Sequence, residues 1–332
     1  MHSYLIQMLE CPVCHSELDW TIIERIDKRI LTAEICCQAC RATYIVRDGI
    51  GLFLPPNVSR NDLWQQADNQ LTQYLRQHPD VERRLMQSPL DTLSPADQFF
   101  RALVLEERGN YAEAKAIEDL SIAGLYTSEY LTCWNNQVNY VIEELALSDG
   151  PIVDIASGRC YLVEQLAQRL KHPIVASDFS PRVLQQGRRR LEWHGVYERI
   201  SLLVFDARFT PFKTGIINTL TTNLGLANIR EPGDLLRELR RIVRGKFLSI
   251  SHFYPENDDA NVQKSSELGL ATLLFRRSTL ECCTNAGWEV EVVNSCFGKA
   301  RPTPIGVVLE GAIIDTLPVA ETTLEWCTLI AK

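Results

Sequence analysis

The sequence predicts an α/β chain: a parallel sheet flanked by helices, preceded by a small cysteine-bound ribbon and a helical bridge. Three observations carry that expectation. Residues 152–156 are a short apolar run of the kind a buried parallel strand shows; Ser157-Gly158 breaks it, and apolar residues then recur at 162, 163, 166, 167 and 170, which is helical spacing. Two later apolar runs, 174–178 and 200–206, end in Asp178 and Asp206, and the first carries Asp154. Near the amino terminus, Cys11-Pro-Val-Cys14 and Cys37-Gln-Ala-Cys40 repeat one C-x2-C spacing.

Composition sets the outer bounds. At 332 residues, 45% hydrophobic and 23% charged, the chain has ordinary globular composition and length for two or more domains. A formal charge of -8 argues against a protein that wraps nucleic acid non-specifically, because that needs many phosphate-neutralising cations. Two basic runs stand against this balance, Arg182 with Arg188 to Arg190, and Arg237, Arg240, Arg241, Arg244 and Lys246; solvated helix faces are preferred for both over an RNA surface. No apolar stretch is long enough to span a membrane, and the first residues lack the pattern of a signal peptide, so a cytoplasmic location is expected.

Residues 1–57 form the first unit. Each C-x2-C pair suits a tight knuckle that turns both sulfurs inward, and two knuckles make the tetrahedral thiolate cage that Zn²⁺ prefers. Cys11, Cys14, Cys37 and Cys40 are the expected ligands; Cys36 lies beside Cys37, but the symmetric pairs are preferred. So small a ribbon has too little core to fold without its metal. After the cage, Tyr44 to Arg47 is expected as a strand, Asp48-Gly49 as a turn and Ile50 to Leu54 as a second strand stopped by Pro55-Pro56.

Residues 58–125 read as a helical bridge or lid. Leu63, Trp64, Ala67, Leu71, Tyr74 and Leu75 share one stripe, and Ser94-Pro95 starts a helix with serine as cap and proline in the first turn. Phe99 to Glu107, a turn at Arg108-Gly109-Asn110 and Tyr111 to Leu120 then read as two helices, with the flavour of a single tetratricopeptide repeat.

Residues 126–332 hold the sheet. A helix with Tyr126, Tyr130, Trp134 and Tyr140 precedes the first strand. Strand, small-residue turn and helix present backbone N–H groups and a helix N-terminus to a ligand. Asp178 lies 24 residues after Asp154, where a nucleotide-binding βαβ unit places its ribose-binding acid. Three successive strands with aspartates near their carboxyl ends make sense as a crevice for a ligand with several hydroxyls and amines. Residues 215–220, 247–253 and 288–296 are the expected fourth, fifth and sixth strands, and 307–315 the seventh, paired against the sixth. His252 is the one histidine placed for general-base work, without a visible acidic partner, and no constellation names a catalytic residue.

On these residues the chain resembles the class I S-adenosylmethionine-dependent methyltransferases. Asp154-Ile-Ala-Ser-Gly158-Arg-Cys is similar to the family's first motif, Asp178 to the acid on the ribose hydroxyls, and Asp206-Ala207 to the pair beside the adenine ring. The resemblance implies a Rossmann-like, seven-stranded methyltransferase sheet with a closing antiparallel hairpin. It also implies S-adenosyl-L-methionine as cofactor, with contacts from Asp154, Ala156, Ser157, Gly158, Asp178, Phe179, Asp206, Ala207 and Thr221. Two departures stand out: Ala156 and Cys160 occupy the places of the family's outer glycines, leaving only Gly158 free to take φ > 0 at no cost. The run Tyr44-Ile-Val-Arg-Asp-Gly-Ile-Gly51, with the cysteine pairs, resembles the zinc-ribbon proteins that activate or are fused to methyltransferases, the Trm112-like group, and the zinc-containing region of RlmA-type rRNA guanine methyltransferases. The expected function is methyl transfer to an acceptor that is RNA, protein or a small molecule. Two alternatives remain: a non-enzymatic zinc-ribbon scaffold with a degenerate methyltransferase domain, and an NAD-dependent oxidoreductase, which would use the same turn and ribose acid.

Overall fold

The computed structural model describes residues 1–56 and 71–332. Leu63, Trp64 and Ala67 of the expected stripe, and the boundary between the first two units, lie outside the described residues.

Alternation along the strands builds the sheet and assigns its two faces. Ile152, Ile174, Ala176, Ile200, Leu202 and Val204 enter one core, while Val153, Ile155, Val175 and Leu203 enter the other. Both faces are therefore apolar, which is why these strands read as continuous hydrophobic runs. Eleven strands form one sheet. Four belong to the amino-terminal unit: β1 (Leu18–Ile26), β2 (Arg29–Cys37), β3 (Thr43–Arg47) and β4 (Ile50–Leu52). The rest are β5 (Ile152–Asp154), β6 (Ile174–Asp178), β7 (Ile200–Val204), β8 (Ile217–Asn223), β9 (Val243–Phe253), β10 (Val290–Ala300) and β11 (Thr322–Ala331). Their order is β1-β2-β3-β4-β7-β6-β5-β8-β9-β11-β10. From β4 to β9 the pairing is parallel, and β11 inserts antiparallel between β9 and β10.

The last seven strands in that order are the expected Rossmann-like sheet with its antiparallel hairpin. The order turns at β5, which has β6 on one side and β8 on the other, and a crevice opens at the carboxyl ends of strands around such a point.

The amino-terminal strands continue this sheet. Asp48 and Gly49 take φ of 51° and 76°, the left-handed pair of a tight hairpin turn, and β4 emerges from it to pair with β7. Close approach is possible because Gly51 has no side chain: a Cβ there would lie 2.7 Å from Leu203 and 2.8 Å from Phe53.

Residues 71–77 are helical, followed by α1 (Pro79–Gln87), α2 (Pro95–Glu107), α3 (Tyr111–Leu125) and α4 (Ser128–Leu145). Ser94 caps α2 by accepting from the Asp97 N–H at 3.1 Å, and Gly109 makes the α2–α3 turn at φ 81°. The remaining helices are α5 (Tyr161–Arg169), α6 (Pro181–Trp193), α7 (Pro232–Ile242), α8 (Asp259–Glu267), α9 (Ala271–Leu274) and α10 (Arg276–Asn285). No helix among the described residues is long and apolar enough to cross a membrane.

One expected strand is corrected. Residues 307–315 are not the seventh strand, which is β11; they form turns between β10 and β11. The backbone N–H groups of Val307, Val308 and Leu309 donate to the Asp97 carboxylate at 2.9, 3.1 and 3.0 Å. Donors spent on a side chain are unavailable to a strand ladder. Burial alone would raise the Asp97 pKa, but the bonds from Leu309, Ser94, Val307 and Val308 outweigh it and hold the carboxyl below its usual range.

Candidate functional site

The chain leaves β5 at Asp154 and enters α5 at Tyr161, and between them three residues take left-handed φ: Ala156 at 50°, Gly158 at 50° and Cys160 at 62°. These are the positions of the three glycines in the resembled motif. The backbone thus keeps a glycine-type turn although two positions carry a side chain, at a cost of about 1–2 kcal/mol for each such residue. A Cβ built on Gly158 would meet nothing within 4 Å, so open space lies against the turn at this residue.

Hydrogen bonds hold the turn from both neighbouring strands. Ser157 donates its N–H to the Ser177 carbonyl at 2.8 Å and its hydroxyl to Asp154 Oδ2 at 2.6 Å. Asp178 Oδ2 accepts the Gly158 N–H at 3.0 Å, and its Oδ1 accepts the Ser180 N–H at 3.0 Å. Asp154, Ala156, Ser157, Gly158 and Asp178 are therefore gathered at one place. Phe179 follows directly, half-buried. Thr221 is fully buried on β8 and donates its hydroxyl to Asp154 Oδ1 at 2.7 Å, so it buttresses the acid from behind. Burial pushes the Asp154 carboxyl up to about 7; the Ser157 and Thr221 hydroxyls work against this, and the Asp178 charge adds to it.

Asp206 lies two residues beyond the end of β7, in a turn that Phe209 closes by donating its N–H to the Asp206 carbonyl at 2.8 Å. Its carboxylate takes the Arg208 N–H and Nε at 2.9 and 3.0 Å on Oδ1, and Arg208 Nη2 at 2.7 Å on Oδ2. A carboxylate offers about four acceptor positions, so this fork leaves room for one more donor. Ala207 beside it is 9% exposed.

Two further features bound the site: an ion-pair network that the sequence did not show, and a helix over the turn that its aromatic spacing suggested. Arg159, inside the turn, donates to Glu118 Oε1 at 2.6 Å and to Glu106, which ties the turn to α2 and α3. Arg190 of α6 joins Glu118 at 3.2 Å and Glu164 at 3.1 Å, extending the pair into a buried network. The second feature is a roof. On α4, Trp134 donates Nε1 to Asn223 Oδ1 at the end of β8 (3.1 Å) and stacks on Tyr161, the first residue of α5, at 4.6 Å. The four-residue spacing of Tyr130 and Trp134 was the available signal, since it puts both on one side of α4; Tyr126 precedes the helix in extended conformation and stacks on Tyr130 at 4.7 Å. Asn228, in the turn that follows β8, donates to the Leu224 carbonyl at 3.4 Å.

In the amino-terminal unit the sulfurs of Cys11, Cys14, Cys37 and Cys40 lie within 4.8 Å of one another, with Cys11–Cys40 at 3.6 Å and Cys14–Cys37 at 3.4 Å. A Zn–S bond of about 2.3 Å places tetrahedral sulfurs about 3.8 Å apart, so the donor set fits such an ion. Cys36 is outside the cluster and its thiol faces the Cys37 carbonyl at 3.6 Å.

Residues 152–246, from the first residue of β5 into β9, match the family model of a methyltransferase domain. A ubiquinone/menaquinone biosynthesis C-methyltransferase UbiE of Coxiella burnetii is 25% identical over 146 residues, 43% of this chain and 55% of that protein. A demethylmenaquinone methyltransferase of Clavibacter sepedonicus is 32% identical over 130 residues, 38% of this chain and 51% of that protein. The chain spans about half the length of these curated relatives. Among solved structures, the geranyl diphosphate C-methyltransferase of Streptomyces coelicolor aligns at a TM-score of 0.44 and 15% identity, over 60% of this chain and 80% of that one. Between β5 and β9, the chain carries a methyltransferase domain.

Proposed function

We propose that the protein is an S-adenosylmethionine-dependent methyltransferase acting on a small molecule, with a structural zinc on its amino-terminal cysteines. The observation that carries the reading is the left-handed turn at Ala156, Gly158 and Cys160, bonded to Asp178 and open above Gly158. When bound, the cofactor's sulfonium supplies an electrophilic methyl group, and the protein's task is to align the acceptor and exclude water. The turn's backbone at Gly158 would take the methionine part, Asp178 the ribose hydroxyls and Asp206 the adenine amine.

A small acceptor is favoured over RNA because most of the basic runs are engaged within the chain. Arg182 pairs with Glu107, Arg188 with Glu192, Arg190 with Glu118 and Glu164, Arg237 with Asp234, Arg241 with Glu10 and Glu238, and Lys246 with Glu144. Cations held this way do little to neutralise phosphates.

Titration calorimetry with S-adenosylmethionine and with NAD tests the reading. Binding of the first and not the second is expected, and Asp178→Ala should weaken it by more than about tenfold through lost charge-assisted bonds. Preference for NAD would return the protein to the oxidoreductases.

A further inference from the structure

Beyond the cofactor turn, the fifth strand of the methyltransferase sheet ends in a second, enclosed site. His252 near the carboxyl end of β9 and Tyr254 just beyond it face one cavity with Tyr126, which precedes α4, and Tyr130 in its first turn. With Thr303, Asp315 and Leu317 from the β10–β11 connection they line a cavity of about 20 Å³. That is room for about one water molecule.

Its walls combine aromatic faces with an unpaired polar atom. Tyr126 stacks on Tyr130 at 4.7 Å, Tyr130 meets Trp326 edge-on at 4.8 Å, and His252 lies 5.1 Å from Trp326 and 5.7 Å from Tyr254. His252 Nδ1 is shielded from solvent and has no hydrogen-bond partner among the described residues. A buried polar atom of this kind costs free energy unless something bonds it, so it marks a place for a ligand atom. Burial also shifts the titrating groups. Burial lowers the His252 pKa to about 4, leaving the ring neutral, and burial raises the Asp315 carboxyl against the opposing Tyr126 bond. The one permanent cation in the lining, Arg301, turns a guanidinium N–H to the Gly124 carbonyl at 3.2 Å.

We infer that this cavity is the acceptor subsite of the methyl-transfer reaction, and that it takes a flat, uncharged ring whose edge hydroxyl hydrogen-bonds His252 Nδ1. The inference rests on the methyltransferase reading above. Flatness follows from the aromatic faces, neutrality from the cost of burying a charge in so enclosed a space, and the hydroxyl from the unpaired nitrogen. A ring is larger than the space now enclosed, so entry requires the wall to yield. That wall is the irregular segment 301–321, fastened over the cavity where Tyr126 donates its hydroxyl to Asp315 at 2.7 Å. His252 is the acceptor-positioning group, and Tyr126 with Asp315 is the latch.

The full-length protein, with zinc retained, is titrated with phenol, toluene and benzoate while the His252 ring nitrogens are followed by NMR. Phenol should shift the Nδ1 resonance, toluene should bind without that shift, and benzoate should not bind. His252→Phe should weaken phenol by about tenfold and leave toluene unchanged, since it removes only the hydrogen-bonding atom. Tyr126→Phe should tighten phenol and toluene alike by releasing the latch. An Nδ1 resonance that phenol leaves unmoved in the wild-type protein, or equal phenol affinity in folded His252→Phe, overturns the inference. S-Adenosylmethionine is titrated in parallel: cofactor binding without a phenol response sinks the subsite alone. Absence of cofactor binding overturns the methyltransferase reading and the acceptor role together.

Discussion

Cys160 fills the space that Gly187 leaves open: its Sγ lies 2.8 Å from where a Cβ on Gly187 would stand. The same exchange recurs at the other substituted position of the turn, where the Ala156 Cβ lies 2.6 Å from the place of a Cβ on Gly225. Each side chain standing where the resembled motif has glycine thus faces a glycine on a neighbouring element. In each contact the side chain is on the turn and the glycine on its neighbour, and the turn keeps three left-handed residues. A degenerate turn, drifting without function, would have no reason to preserve three left-handed residues in this spacing.

A double-mutant cycle tests the exchange. Gly187 is in the middle of α6, where alanine should add about 1 kcal/mol by helix propensity alone. In the wild-type background Gly187→Ala should instead destabilise by about 1–3 kcal/mol, the usual scale of overpacking. In a Cys160→Gly background the same change should stabilise. Urea unfolding of the four proteins measures the coupling, and additive effects would exclude the contact.

The buried Asp154 predicts a pH signature in stability. Its folded pKa, about 7, stands above the reference value of 3.8, so the folded state binds more protons between those limits. Stability from this group is then greatest at low pH, declines as pH rises from about 4 to about 7, and is flat above. Asp154→Asn has no proton to lose, so its stability relative to wild type should improve on moving from pH 5 to pH 8. The gain has an upper slope of about 1.4 kcal/mol per pH unit. Denaturant melts across that range decide it, and parallel profiles for the two proteins would show that the carboxyl does not titrate there.

Metal content tests the cysteine cluster. Unchelated protein should carry one zinc per chain, and Cys14→Ser should lose most of it together with soluble yield, because such a ribbon folds with its ion. Since β4 pairs directly with β7, loss of the ribbon should also lower the melting temperature of the whole sheet. Metal analysis that finds no zinc in the wild-type protein removes the claim.

What could be read in advance follows from how local each signal is. The strand runs at 152, 174 and 200 and the Ser94-Pro95 cap are written in neighbouring residues, and the elements fall where expected. The cysteine pairs needed only their own spacing to bring four sulfurs together. The segment 307–315 failed because its apolar residues imitate a strand while its N–H groups answer to Asp97, some two hundred residues earlier. The pairing of β4 with β7 was equally hidden, since a three-residue strand carries no mark of its partner. His252 was visible as a candidate without an acidic neighbour, and the structure still gives its Nδ1 no partner among the described residues. The enclosing Tyr126 and Tyr130 come from one stretch and Asp315 from another far along the chain, and only the fold brings them together over His252.

Gly158 is where a working turn and a relic would part company. Its φ of 50° lies in the region that penalises a branched side chain, and its N–H is held by Asp178 at 3.0 Å. Space does not forbid a larger residue, because a Cβ there meets nothing within 4 Å. Gly158→Val should therefore fold, losing only about 1–2 kcal/mol to the strained backbone. The valine methyl groups would, however, stand in the opening where the cofactor approaches the turn. S-Adenosylmethionine affinity should fall by about a hundredfold, equivalent to about 2.7 kcal/mol. Gly158→Ala, with the single Cβ that Ala156 already carries at the same φ, should fall between the two. Calorimetry on all three proteins separates pocket from scaffold. A valine variant that melts near wild type and binds the cofactor as tightly would mean that the cofactor, if held at all, lies elsewhere.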